Sequence, residues 1–66
     1  MIKIKEGDFV VCIDELHAIT LGKVYEVIDV TDSNLLEVID DNGYSHFYFS
    51  ISFRLATLLE KELYEL

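Results

Sequence analysis

The side chains of this 66-residue sequence that carry chemistry are one cysteine, two histidines, four tyrosines and a large excess of carboxylates. Cys12, His17 and His46 are the set a zinc ion would draw on. Zinc takes three or four ligands, usually supplied as close pairs such as C-x₂-C, and no such pair occurs. The set therefore reads as a buried structural thiol and two surface histidines, with no metal and no other cofactor. Asp29, Asp32, Asp40 and Asp41 are calcium candidates, yet no segment matches an EF-hand loop with its central glycine and closing glutamate. They read as solvated turns.

Catalysis finds no better footing. Ser45 and His46 are neighbours, but adjacent residues of a strand point to opposite faces and cannot form a dyad. His17 lies beside Asp14 and Glu15 with no nucleophile to activate and no third group to orient it. Paired carboxylates would need a cleft that so short a chain hardly builds, and no glycine-rich phosphate loop is present. The expectation is a protein that is not an enzyme.

Charge narrows the partners. Five basic residues against 13 acidic ones give a net charge of −8, the wrong sign for phosphate backbones and anionic membranes. Tyr44, Tyr48 and Phe9 offer rings for stacking bases, and Lys3 with Lys5 offers a local basic patch. Stacking worth about 1–3 kcal/mol per base would still have to overcome the overall repulsion. Nucleic acid is thus the alternative, not the expected ligand. An acidic surface can also imitate DNA, but small domains commonly carry a net charge of magnitude ~2–8 for solubility, which is the simpler account. No apolar run reaches the ~18 residues of a membrane span and no signal peptide is evident. A soluble, cytoplasmic protein is expected, in keeping with one free thiol.

The elements that position these residues follow from hydrophobic period. Apolar residues make up 52% of the chain, too many for disorder. Asp8–Ile13 is a nearly continuous apolar run and reads as a first strand. Leu16–Leu21 lacks alternation and reads as a loop wrapping the domain. Lys23–Val30 is the longest strand signal, but Lys23 and Glu26 break period two, which predicts a bulge near Val27-Ile28. Thr31-Asp32-Ser33-Asn34 is turn chemistry. Leu35–Asp40 and Tyr44–Phe49 read as strands joined at Asp41-Asn42-Gly43, where Asn-Gly predicts a type I′ hairpin. Ser45, Phe47 and Phe49 are assigned to the core and Tyr44, His46 and Tyr48 to the wet face. Ser50-Ile51-Ser52 fits one helical turn before a closing strand over Phe53–Ala56.

From Thr57 the period becomes helical: Leu58, Leu59, Leu63 and Leu66 form a stripe, with Glu60, Lys61, Glu62 and Glu65 elsewhere around the wheel. Thr57 and Glu60 make a capping box. So short a helix is not stable alone in water, so the stripe must dock, either on its own barrel or on another copy.

These elements add up to a mainly β, small five-stranded SH3-like barrel (residues 1–56) with a short C-terminal amphipathic helix (57–66). The expected inward set is Val10, Cys12, Tyr25, Val27, Leu36, Val38, Phe47, Phe53 and Leu55. The segments Gly7-Asp8-Phe9-Val10-Val11-Cys12-Ile13-Asp14, Leu21-Gly22-Lys23-Val24-Tyr25-Glu26-Val27, Asp41-Asn42-Gly43 and Phe53-Arg54-Leu55 together resemble small, mostly uncharacterised SH3-like proteins encoded by phages and prophages. The resemblance spans roughly residues 5 to 56. It implies the barrel, a phage or mobile-element origin and a binding role, and it brings no catalytic residues. The expected function is a small acidic binding module acting through protein–protein contacts, modulating or inhibiting a host protein. The alternatives are a nucleic-acid-binding barrel and a purely structural self-associating protein. Candidate interaction residues are Tyr44, Tyr48, Leu59, Leu63 and Leu66.

Overall fold

The computed structural model describes residues 4–32 and 34–66. Along the chain lie β1 (Phe9–Cys12), β2 (Val24–Asp32), β3 (Leu35–Ile39), β4 (Ser45–Phe49), a 3₁₀ turn (Ser50–Ser52), β5 (Phe53–Leu55) and α1 (Leu58–Tyr64). All pairings are antiparallel, in one five-stranded sheet ordered β4-β3-β2-β1-β5. Each expected strand is present, a residue or two longer or shorter, and the 3₁₀ turn falls on the three residues that suggested it. The expected turn at residues 31–34 is only partly seen: β2 runs on through Thr31 and Asp32, and Ser33, like Lys3, lies outside the described residues.

β2 bends the sheet. Val27 pairs with Val38 and Asp29 with Glu37, which leaves Ile28 as an extra residue; a second shift leaves Thr31 extra between Val30 and Asp32. The first shift is the bulge that the spacing of Lys23 and Glu26 predicts. Bulges increase local twist and bend the bulged strand, so β2 can serve both halves of a curled sheet. Among the described residues β4 and β5 share no ladder, so hydrogen bonds do not close the sheet. The two edges still meet across the core, where the rings of Tyr48 and Phe53 lie 6.2 Å apart.

Val10, Cys12, Ile19, Tyr25, Val27, Leu36, Val38 and Phe53 form the buried cluster. Full burial of a valine or leucine stabilises by about 1.5–3 kcal/mol, and Leu36, Val10, Val27 and Val38 reach it. Two expected members are absent. Leu55 is 36% exposed because it ends a short edge strand. Phe47 is 46% and Phe49 66% exposed, so both leave the expected core while Tyr48 is half-buried; Tyr44 and His46 are exposed as expected. The register explains this: Leu36 faces Tyr48 and Val38 faces His46, whereas Glu37 faces Phe47 and Leu35 faces Phe49. Directly opposed residues share a face, so the buried Leu36 and Val38 draw Tyr48 inward and turn the phenylalanines out.

Two buried apolar residues stand outside the expected set. Val11, opposite in pleat to Val10 and Cys12, is buried on the face it shares with Phe9; α1 lies over that face, its Tyr64 ring 5.1 Å from the Phe9 ring. Ile19 belongs to the long loop, which pinches at a Leu16–Ile19 bridge with Ala18 in the left-handed region at φ 64°.

Candidate interaction site

Two of the carboxylates considered as calcium ligands, Asp40 and Asp41, hold the chain itself together. Asp40 is buried at the base of the β3–β4 hairpin, where its Oδ1 accepts from the N–H groups of Asn42 (2.9 Å) and Tyr44 (3.0 Å). Its Oδ2 lies 3.4 Å from His46 Nε2. Gly43 donates its N–H to the Asp40 carbonyl at 3.0 Å. Gly43 has φ 88° but Asn42 does not share the positive region. The loop is therefore three residues long, a tight turn closed by a left-handed glycine, not the two-residue type I′ hairpin expected from Asn-Gly. The reason is Asp40, whose side chain satisfies the loop amides and so favours the longer connection.

Asp41 clamps the long loop to this hairpin. Its Oδ1 accepts from Lys23 Nζ and from the Tyr25 hydroxyl, both at 2.7 Å, and its Oδ2 accepts from Thr20 Oγ1 at 2.6 Å. The Tyr25 oxygen accepts in turn from the Thr20 N–H at 2.8 Å, and the Asp41 N–H donates to the Ala18 carbonyl at 2.8 Å. The Lys23 ammonium, aided by the Thr20 and Tyr25 hydroxyls, pulls the Asp41 carboxyl down to about 2. Burial pushes the Tyr25 hydroxyl up. Both carboxylate oxygens are engaged by donors from the chain itself, so the cluster is a brace and not a base awaiting a substrate.

The remaining chemical candidates disperse. Cys12 is fully buried and donates its thiol to the Asp14 carbonyl at 2.8 Å. His17 sits in the long loop and His46 on β4. No group of three or more His, Cys, Asp or Glu converges among the described residues. Tyr44 is 67% exposed just past the hairpin. Tyr48 is half-buried against the core, and burial, with Asp40 nearby, pushes its hydroxyl up. The two tyrosines therefore do not make an open stacking surface. Three of the described cations are committed: Lys23 to Asp41, Arg54 to Glu60, and Lys61 over the Phe9 ring at 5.3 Å.

Helix α1 is where apolar surface collects. Thr57 caps it: Thr57 Oγ1 accepts from the Glu60 N–H (3.2 Å) and Glu60 Oε1 accepts from the Thr57 N–H (2.8 Å), completing the capping box that the sequence predicts. Arg54 of β5 grips the same glutamate with both guanidinium nitrogens, at 2.9 and 2.7 Å. That bidentate contact, together with the Thr57 amide, holds the Glu60 carboxyl down at about 2. Tyr64 on Phe9 fixes the far end of the helix. The helix thus docks through Glu60, Lys61 and Tyr64, and not through its leucines. Leu58, Leu59, Leu63 and Leu66 are 72%, 65%, 60% and 99% exposed. Docking of the stripe on its own domain, one of the two expected outcomes, does not occur. The anchoring residues were legible only in part, because Glu60 was recognised as a cap but its pairing with Arg54 needs the β5–α1 geometry.

Among the described residues, open concavities lie beside Ile4–Glu6 and at the β5–α1 junction. No described helix is long and apolar enough to cross a membrane. Comparison with known proteins finds no matching family model, no curated relative and no matching solved structure.

Proposed function

We propose that this chain is an SH3-like barrel that acts as a protein-binding module, with the leucine face of α1 as its contact surface. The strand order β4-β3-β2-β1-β5, the 3₁₀ turn before the last strand and the meeting of Tyr48 with Phe53 across the core support the barrel reading. One observation carries the binding reading: α1 is held by its polar residues and Tyr64 while Leu58, Leu59 and Leu63 face solvent. Contiguous exposed apolar surface on a small domain marks an interaction site. Glu62 and Glu65 flank the leucines and are exposed, on a chain of net charge −8. The matching partner is a protein with an apolar groove rimmed by lysine or arginine, the helix-in-groove mode of recognition. Resemblance of residues 5 to 56 to phage-encoded proteins makes a host cytoplasmic protein the first partner to seek.

The test is affinity capture from bacterial lysate with the native chain and with Leu59→Asp/Leu63→Asp. Because both leucines are exposed, the variant keeps its stability to within the ~0.5 kcal/mol typical of each surface change. A protein retained by the native chain and lost with the folded variant supports the reading. Identical capture by both removes α1 as the contact.

A further inference from the structure

The two edges of the sheet are finished differently. β5 is only three residues long, carries Arg54 and runs directly into α1. β4 holds no lysine, arginine, carboxylate or proline, and its register against β3 is unbroken from Leu35–Phe49 to Ile39–Ser45. An edge without such protection is a template for another strand. Its free groups follow from the ladder. Asp40 donates its N–H to the Tyr44 carbonyl (2.8 Å) and Ser50 donates to the Asn34 carbonyl (2.7 Å). Hydrogen-bonded and non-bonded pairs alternate in an antiparallel ladder. Tyr44, His46, Tyr48 and Ser50 therefore turn their backbone groups toward β3, and Ser45, Phe47 and Phe49 turn theirs outward. Among the described residues no backbone hydrogen bond reaches these three from the other side.

The bordering face selects the occupant. Across the outer face of the sheet Asp29 opposes Glu37 and Glu37 opposes Phe47, a row that ends at the open edge. Phe47 and Phe49 are 46% and 66% exposed, and Ile39, opposite Ser45, is 45% exposed. Asp29 has Lys5 beside it in one concavity, whereas Glu37 forms no ion pair with any described cation. A strand added to β4 sets one residue opposite Phe47, about 5 Å away, and about 10 Å from the strand of Glu37. A lysine or arginine at that position lies along the Phe47 ring, whose face attracts cations, and its charged end meets the Glu37 carboxylate. The chain already builds such a contact internally: Lys61 Nζ stands 5.3 Å over the ring of Phe9, whose strand partner is Glu26.

We infer that β4 accepts an extended segment of a partner protein, paired antiparallel, with a lysine or arginine opposite Phe47 and apolar residues two places to either side. Main-chain bonds from Ser45, Phe47 and Phe49 hold the segment, and the alternate side chains over Phe49, Phe47 and Ile39 select it, the β-augmentation mode of recognition. The net charge of −8 attracts such a segment. This surface is separate from the leucine face of α1, which follows β5 at the opposite end of the strand order.

Titration of the native chain with synthetic peptides, followed by its backbone amide resonances, tests it. The probe is a blocked nine-residue peptide, threonine throughout save for a central lysine and valines two places to either side. Shifts are expected at Ser45, Phe47 and Phe49 and not at Leu59 or Leu63. Exchanging the central lysine for glutamine is expected to weaken binding about two- to fivefold, and Glu37→Gln is expected to erase that difference. N-methylation of the lysine and both valines, whose amides face β4, is expected to abolish binding. N-methylation of the threonines next to the lysine, whose amides face away, is expected to leave it unchanged. Leu59→Asp/Leu63→Asp alters none of these results, so the α1 reading and this one fail separately. The peptide comparisons need only the native chain and decide the matter should Glu37→Gln not fold. No binding at millimolar peptide, equal effects of the two methylation patterns, or equal affinity of the lysine and glutamine peptides overturns the inference. So does protection of the Phe47 and Phe49 amides that rises with protein concentration in the absence of peptide, which would give the edge to a second copy.

Discussion

Replacing Tyr25 by phenylalanine isolates the Asp41 brace. The ring is 4% exposed and fills the core, so the substitution keeps shape and opens no cavity. It removes one hydroxyl that donates to Asp41 at 2.7 Å and accepts from the Thr20 N–H at 2.8 Å. A net hydrogen bond contributes about 0.5–1.5 kcal/mol, so the loss is about 1–3 kcal/mol. At ~0.05–0.15 kcal/mol per residue the whole domain has about 3–10 kcal/mol, and the melting temperature should fall by roughly 5–20 °C. Tyr48→Phe is the control. Its hydroxyl reaches the His17 carbonyl only at 3.4 Å and in an exposed position, so its loss should cost less than about 0.5 kcal/mol. Thermal and urea unfolding followed by circular dichroism measure both. Equal effects of the two substitutions, or a Tyr25→Phe change below about 0.5 kcal/mol, would refute the claim that Asp41 and Tyr25 tie the loop to the hairpin.

Acid should weaken the fold in a defined window. Asp41 and Glu60 both titrate near 2 in the folded chain, below the ordinary carboxylate range of about 4. A depressed folded value means stability that is present above that range and lost as pH falls toward 2. Unfolding midpoints should therefore drop between roughly pH 4.5 and pH 2, and the drop should shrink in Asp41→Asn/Glu60→Gln; an unchanged profile in that variant contradicts the assignment. Ala18 sits at φ 64°, a conformation costing a non-glycine residue about 1–2 kcal/mol. Ala18→Gly relieves that strain against an entropic loss of about 0.4–1 kcal/mol, so urea unfolding should give a change between neutral and about 1.5 kcal/mol more stable. A clear loss of stability would show that the Ala18 methyl packs against something that matters more.

Period and turn chemistry made most of the scaffold readable. The bulge at Ile28, the 3₁₀ turn and the Thr57–Glu60 box each follow from local physics: a break in alternation, a short polar run, a cap with its acceptor three residues on. What failed depends on non-local facts. For β4 both faces carry aromatics, so alternation could not choose between them; pairing with Leu36 and Val38 does. Asn-Gly favoured a two-residue turn until Asp40, placed by β3, accepted the loop amides. Val11, on the other face of β1 from Val10 and Cys12, and Ile19, in the long loop, are buried at positions that no period marks. At the candidate contact surface the leucines were visible as a stripe, but their exposure was not. That depends on Arg54 and Phe9 holding the helix by its other face.

Photo-crosslinking from single positions in living cells that express the chain reaches most directly the proposal that α1 is the working surface. A photoreactive side chain at Leu59 or Leu63 should join one and the same foreign protein, and the same probe at Glu15, in the exposed loop after β1, should not. Adducts equally abundant from all three positions, or none from the two leucine sites, would contradict it.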